Sequence, residues 1–281
     1  MSESAVRKVL ATKLDHETLS DDPQWVSVEE PLEIHLIQPN GDREVLAITM
    51  RTPGNEYELA VGFLLTEAIV RSREDLGPQP IATKLQTTAT NNVCAVALRV
   101  AFDASSLKRN FYGTSSCGVC GKASIDHLEK KVRPMAVDAA VRVSSDVLRS
   151  LPGKLRSAQE QFSLTGGLHA VGIFDFSANL LVVREDVGRH NAMDKAIGAA
   201  MLHGLLSADL VAMASGRLSF ELVQKAALAG ISVLCGVSAP SSLAISAAER
   251  FGMTLVGFVR DQRLTVFSHS ERVAFNQTKP L

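Results

Sequence analysis

The stretch Leu210-Val211-Ala212-Met213-Ala214-Ser215-Gly216-Arg217-Leu218-Ser219-Phe220-Glu221-Leu222-Val223-Gln224-Lys225-Ala226-Ala227-Leu228-Ala229-Gly230-Ile231-Ser232-Val233-Leu234-Cys235-Gly236 decides the architecture. Its first five residues are apolar and stop at a Ser-Gly turn, as a buried strand does. Ser219–Ala229 then has helical character, with Ser219 as a natural N-cap and Glu221 placed to pair with Lys225. Ile231–Gly236 is apolar again and ends at a second turn. Working outward, strands are expected at Leu168–Phe174 and Leu180–Val183, followed by a helix from Arg189 to Leu205. Beyond Gly236 come a helix at Ser241–Phe251 and strands at Leu255–Val259 and Leu264–Phe267. Strands alternating with helices of about ten to fifteen residues predict an α/β layer sandwich with a partly parallel sheet. In such sheets ligands gather outside the carboxyl ends of the strands.

The first half of the chain reads differently. Residues 1–22 are polar and mixed in charge, and are expected to form a flexible arm. Trp25–Leu36 and Glu44–Met50 are β-rich runs separated by Pro39-Asn40-Gly41-Asp42, which is a hairpin signal. Pro53-Gly54 ends the second run, and Asn55 with Glu58 three residues on suggests a capped helix reaching about Val70. A strand over Val93–Phe102 completes a small α+β domain, residues 23–110, with the α/β domain over residues 111–281. With 46% hydrophobic residues, the 281-residue chain can bury a full core, and a net charge of −1 gives no basic excess for nucleic acid or anionic lipid. No apolar run approaches the ~18 residues of a membrane span, and no h-region marks a signal peptide. Four cysteines in so long a chain do not make a disulfide framework. A reducing, cytoplasmic setting is expected.

Several constellations carry chemistry. Cys117-Gly118-Val119-Cys120-Gly121-Lys122 follows a run of small and polar residues at the start of the second domain. Lys122 favours the thiolate, and the flanking glycines suit a mobile loop. The pair could be a redox couple, half of a zinc site or a persulfide carrier. A redox couple usually opens a helix directly after a strand. A zinc site needs two further ligands, and Cys94 and Cys235 sit within apolar strands where buried core thiols are the plainer reading. A carrier that must visit two partners suits a loop best.

Arg184-Glu185-Asp186-Val187-Gly188-Arg189-His190-Asn191-Ala192-Met193-Asp194-Lys195 turns from strand to helix. His190 with Asp194, and Asn191 with Lys195, are four apart and expected to meet, while Arg189 and His190 stand near a helix N-terminus that favours an anion. Ser215-Gly216-Arg217 and Val237-Ser238-Ala239-Pro240-Ser241 leave neighbouring strands and could cradle phosphate. Thr165-Gly166-Gly167-Leu168-His169 adds a histidine that is as readily structural as functional. Phe258-Val259-Arg260-Asp261-Gln262-Arg263 places two guanidinium groups at a strand exit, where arginine forks match phosphate and purine acceptors, although a surface hairpin turn is the plain alternative.

Together with Arg51-Thr52-Pro53-Gly54 and Glu58-Leu59-Ala60-Val61-Gly62-Phe63-Leu64, these runs resemble the FdhD family of formate dehydrogenase accessory sulfurtransferases, from about Trp25 onward. The resemblance implies a cytidine-deaminase-like layered C-terminal domain beside the smaller α+β N-terminal domain. It implies that persulfide sulfur passes from a cysteine desulfurase to the molybdenum cofactor in its bis-(molybdopterin guanine dinucleotide) form, which then enters formate dehydrogenase. Cys117 would be the carrier, Cys120 its partner, and Phe258–Arg263 the family's cofactor-binding stretch. A homodimer is implied as well. Deamination is not expected, since Ser116 and not proline precedes the cysteine pair, and the His-x-Glu run His127-Leu128-Glu129 follows it. No zinc is therefore expected. The rival from another class is a chaperone that binds the cofactor without passing sulfur.

Overall fold

The computed structural model describes residues 5–78, 92–102, 132, 135 and 142–276. Strands β1 (Val6–Asp15) and β2 (Thr18–Ser27) pair antiparallel along their whole length, from Val6 opposite Ser27 to Asp15 opposite Thr18. Where the sequence suggests a flexible arm, residues 6–27 are thus a regular hairpin. The cross-strand ladder satisfies their backbone although almost no core lies behind it. The base is tied down: Val28 N donates to the buried Ala5 carbonyl at 3.0 Å, and the Ser27 and Thr165 hydroxyls meet at 3.0 Å.

β3 (Glu30–Ile37) and β4 (Arg43–Arg51) form the expected second hairpin, closed by Gln38 N donating to Asp42 O at 2.8 Å. Helix α1 (Glu56–Thr66) follows, and β5 (Val93–Ala97) joins β3 in parallel to give a sheet of order β4-β3-β5. Leu32, Ile34, Leu36, Leu46, Cys94 and Val96 form its buried face. The expected Asn55 cap is not made, because Asn55 lies in the left-handed region at φ 60° and its side chain accepts no cap hydrogen bond. Glu58 has a stronger partner: it receives Arg184 Nη2 at 2.6 Å. The Gly54 amide turns to Glu56 Oε1 at 2.7 Å.

After β6 (Val143–Ser144) come α2 (Ser145–Ala158) and the short α3 (Glu160–Thr165). Then follow β7 (His169–Asp175), β8 (Leu180–Asp186), α4 (Arg189–Leu202), β9 (Leu210–Ala214), α5 (Phe220–Leu228), β10 (Val233–Gly236), α6 (Ser242–Phe251), β11 (Thr254–Arg260) and β12 (Arg263–Ser268). These six strands make one sheet of order β12-β11-β10-β9-β7-β8. The β9, β10 and β11 strands are parallel, and β12, β7 and β8 run antiparallel to their neighbours. The mixed sheet read from the strand–helix alternation is present. The β13 strand (Val273–Ala274) pairs β6 in parallel near the end of the described chain. No helix among the described residues is long and apolar enough to cross a membrane.

The six-stranded sheet is covered on both faces. Leu148, Leu151 and Leu155 form one stripe of α2, at most 1% exposed, against Ala170, Phe174, Val211, Met213, Val233 and Val256. Each contributes about 1.5–3 kcal/mol by leaving water. On the other face, α4, α5 and α6 pack in a core that continues through α1 into the β4-β3-β5 sheet. Residues of both expected domains therefore meet in one core. The contact between α1 and α4 is backbone to backbone: a Cβ on Gly62 would stand 1.8 Å from the Asp194 carbonyl oxygen, and one on Gly198 1.9 Å from that of Glu58. Only glycine permits that approach.

Candidate functional site

Because β9, β10 and β11 are parallel, Ala214, Gly236 and Arg260 finish at one edge of the sheet. The antiparallel β7 starts there at His169, and β8 ends there at Asp186, directly opposite His169. The turns leaving these strands are stitched together. Ser215 N donates to Ala170 O and Ala170 N donates to Ser215 Oγ, both at 2.9 Å. Leu218 N donates to Ala239 O at 3.1 Å, Ser241 N to Leu218 O at 3.0 Å, and Phe258 N to Ser238 O at 3.2 Å. Residues 169, 189–190, 215–217, 238 and 258–260 thus share one edge, as the strand–helix pattern predicts.

A cavity of about 650 Å³ opens at this edge, lined by Arg156, Gln159, Phe162, His169, Ser215 and Arg260 among others. The Arg156 guanidinium stacks over the Phe162 ring at 4.5 Å, a cation–π contact that fixes the cation in the wall. Arg260 is held by its Nη1 donating to the Val259 carbonyl at 2.8 Å and to that of Val237. The α3 helix is pinned to the edge by Glu185, whose carboxylate accepts from Gln161 N at 2.9 Å and Phe162 N at 2.8 Å. Arg156, Gln159 and Phe162 carry no motif that marks them in the sequence. The signal was the Leu148, Leu151, Leu155 stripe, which Pro152 within the helix obscured.

Beside the cavity stand two imidazoles and two guanidiniums. The His169 ring lies over Gly216, its Nδ1 3.2 Å from where a Cβ would be. Burial, with help from Arg189 and Arg217, holds its pKa below the usual value. His190 Nε2 is 3.3 Å from Ser219 Oγ and 3.8 Å from Glu221 Oε2. Burial, then the charges of Arg189 and Lys225, push its pKa down to about 4. Both shifts favour the neutral ring, so the fixed positive charge at this edge comes from arginine. Among the described residues, the buried Arg189 Nε has no hydrogen-bond partner. The Ser219 hydroxyl faces His190 and does not cap α5.

The expected helix pairs of the Arg184–Lys195 run are not formed. Asp194 accepts from Lys225 Nζ and Thr66 Oγ1, each at 2.8 Å, and does not meet His190. Lys195 Nζ binds Asp186 Oδ2 at 2.7 Å and Thr52 O at 2.8 Å, and does not meet Asn191. Asn191 Nδ2 donates to Met50 O at 2.7 Å. Asp186 also accepts from Thr52 N at 3.1 Å and Gly188 N at 2.9 Å, and Val187 N donates to Thr52 Oγ1 at 3.1 Å. Close packing of α4 on α1 buries that side of the helix, so its charges pair with what faces them. Thr52 and Asp186 are a seam joining the two sheets, and only Arg189 and His190 remain at the edge.

Of the stretch Phe258–Arg263, Val259 is buried in the α2 core, Asp261 and Gln262 form an exposed turn beyond Arg260, and the exposed Arg263 opens β12 opposite Arg260. Phe258 is 42% exposed at φ 52°, a left-handed conformation uncommon for a bulky residue, with its ring tilted 48° to Phe267 at 6.2 Å. Strain of that kind concentrates at ligand sites. Cys94 and Cys235 are buried thiols as expected, and burial pushes Cys94 up to about 12. Cys117, Cys120, Lys122 and His127 lie outside the described residues.

Comparison with known proteins places the whole arrangement. The sulfur carrier protein FdhD of Streptomyces coelicolor is 45% identical over 95% of this chain and 95% of its own length. The protein of the same name from Mycobacterium tuberculosis is 44% identical over 89% of this chain and 92% of its own. That of Sulfurisphaera tokodaii is 40% identical over 95% and 99%. A crystal structure assigned to a formate dehydrogenase accessory protein from Desulfotalea psychrophila has the same fold, with a TM-score of 0.74 at 23% identity, covering 96% of this chain and all of the other. Residues 27–274, which hold both sheets, the seam and the cavity, match the FdhD/NarQ family, and the chain belongs to that family.

Proposed function

We propose that this protein is a sulfur carrier that takes persulfide sulfur from a cysteine desulfurase and delivers it to the molybdenum cofactor in its bis-(molybdopterin guanine dinucleotide) form, for use by formate dehydrogenase. The names of the relatives support the sulfur-carrier role. The finer reading rests on one observation: a cavity large enough for a nucleotide opens at a sheet edge where Arg156 and Arg260 line the wall and Arg189 and Arg217 lie close by. Such a cavity offers an apolar wall for a flat base and guanidinium forks for diphosphate oxygens. The cofactor is the acceptor and cargo, and no resident metal is invoked.

The loading step uses Cys117. Its thiolate attacks the outer sulfur of the donor's cysteine persulfide. A new S–S bond forms on Cys117, the donor's S–S bond breaks, and the donor cysteine leaves as a thiolate. Cys120 is the neighbouring thiol that could stabilise or resolve this persulfide. The working unit is a homodimer in a reducing cytoplasm.

Intact-protein mass spectrometry after incubation with a cysteine desulfurase and cysteine tests the reading. Wild type should gain the mass of one sulfur atom, reversibly with reductant, and Cys117→Ala should gain none. Loss of sulfur loading in every variant, with GDP still bound, would replace the carrier by a cofactor-binding chaperone.

A further inference from the structure

Two sheet faces of the described chain are left bare. Residues directly opposite in an antiparallel pair share a face. On the β1–β2 hairpin one face therefore holds Val6, Leu10 and Leu14 on one strand and Trp25, Pro23 and Leu19 on the other, with Lys8, Thr12 and Asp21 set between them. Leu10 is 71%, Leu14 63% and Leu19 69% exposed. The second bare face is the outer side of the β4-β3-β5 sheet, where Ile48 and Val93 lie on either side of Glu33. There Val45, Ile48, Met50 and Val93 are 46% to 65% exposed. A lone two-stranded hairpin is marginal in water, and contiguous exposed apolar faces mark contact surfaces. Within one chain neither face covers the other.

We infer that in the homodimer the hairpin of each copy lies on the outer face of the other copy's three-stranded sheet. Area selects this occupant. Ten residues per strand make a ribbon about 33 Å long and about 10 Å wide, so covering one face removes roughly 330 Å² from each side. One such contact totals about 660 Å², below the ~1,000 Å² that a specific interface should exceed. A two-fold exchange makes the contact twice, about 1,300 Å², within the usual range. A one-way contact confined to the hairpin, or two hairpins packed face to face, would reach only half of that. The family match starts at residue 27, where the hairpin ends, so the arm stands outside the matched region. The inference rests on the dimeric state proposed above and is independent of the sulfur chemistry.

The test is photo-crosslinking of the full chain with p-benzoylphenylalanine at Leu14, in an equal mixture of natural and heavy-nitrogen copies. Crosslinks should join residue 14 to the Arg43–Arg51 segment in mixed-isotope pairs. In parallel, sedimentation should show Leu14→Asp and Ile48→Asp each weakening the dimer about tenfold or more, since each removes a buried aliphatic contact. Both positions are exposed in the single chain, so each variant's far-ultraviolet circular dichroism should match wild type. A wild-type monomer at micromolar concentration overturns the exchange and the dimer together, leaving sulfur loading to stand or fall alone. A dimer with residue 14 crosslinked to its counterpart arm, or only to its own sheet, overturns the exchange alone.

Discussion

Between Asp186 and Lys195 neighbouring residues have opposite fates. Asp186, Asp194 and Lys195 are at most 2% exposed and are paired across the seam with Thr52, Thr66 and Lys225. Arg189 and His190, a few positions away, stand half-buried at the sheet edge with weaker partners. The run looks like one polar cluster in sequence but consists of two devices: a buried ionic seam that holds two sheets together, and an open edge suited to an anion. What separates them is which side of α4 lies against α1. Charge in a motif therefore indicates a site only where the helix face is open to solvent.

The largest effect that could break this contrast lies in the seam. Removing one member of a buried pair leaves the other charged and unpaired, which costs about 3–5 kcal/mol. Lys195→Ala should lose that much in urea unfolding, a large part of a typical total of about 5–15 kcal/mol. A change under about 1 kcal/mol would mean that Asp186 is not held by Lys195 and that the seam is misread. At the edge the reverse is expected. Arg260→Ala should move stability by less than about 1 kcal/mol, because its side chain is exposed. It should nonetheless weaken GDP binding about tenfold or more by calorimetry, the worth of a charge-assisted hydrogen bond. Unchanged affinity there would take Arg260 out of the binding wall.

The smallest effect concerns pH. His190 rests at about 4 in the folded chain against an ordinary 6.5. Between those values the unfolded chain takes up a proton that the folded chain refuses. Stability from this group is therefore complete above about pH 6.5 and falls as the pH drops toward 4. Urea midpoints at pH 7 and pH 5 should differ less in His190→Gln than in wild type. Equal differences would show that His190 is protonated in the folded state, and that its edge is more open than its burial indicates.

The contrast also marks how far the sequence could be read. The β9 strand was bounded correctly because its residues are uniformly apolar between turn signals, and the meeting of the edge turns followed from the parallel order. The β1–β2 hairpin is not legible in the sequence, since its strands alternate apolar residues with charges that read as a solvated arm. The α2 wall, with Arg156 and Phe162, is hidden in the sequence because proline inside a helix contradicts local propensity and only the leucine stripe overrides it. The seam was read as i,i+4 pairs because sequence lists neighbours along a helix and cannot display Thr52 or Lys225 across from it. Long-range partners outcompeted local ones wherever burial raised the cost of leaving a charge in poor geometry.

The seam also sets a clock on synthesis. Thr52 reaches its acceptor Asp186 across 134 residues of chain, and the glycine crossing of α1 with α4 waits on the same downstream segment. At about 5–20 residues per second on the ribosome, the first sheet and α1 remain without their seat for on the order of ten seconds. During that interval the apolar side of α1 has only its own small sheet for cover. Such delayed closure is a window for nascent-chain chaperones, and insertions that lengthen the chain between Thr52 and Asp186 would widen it.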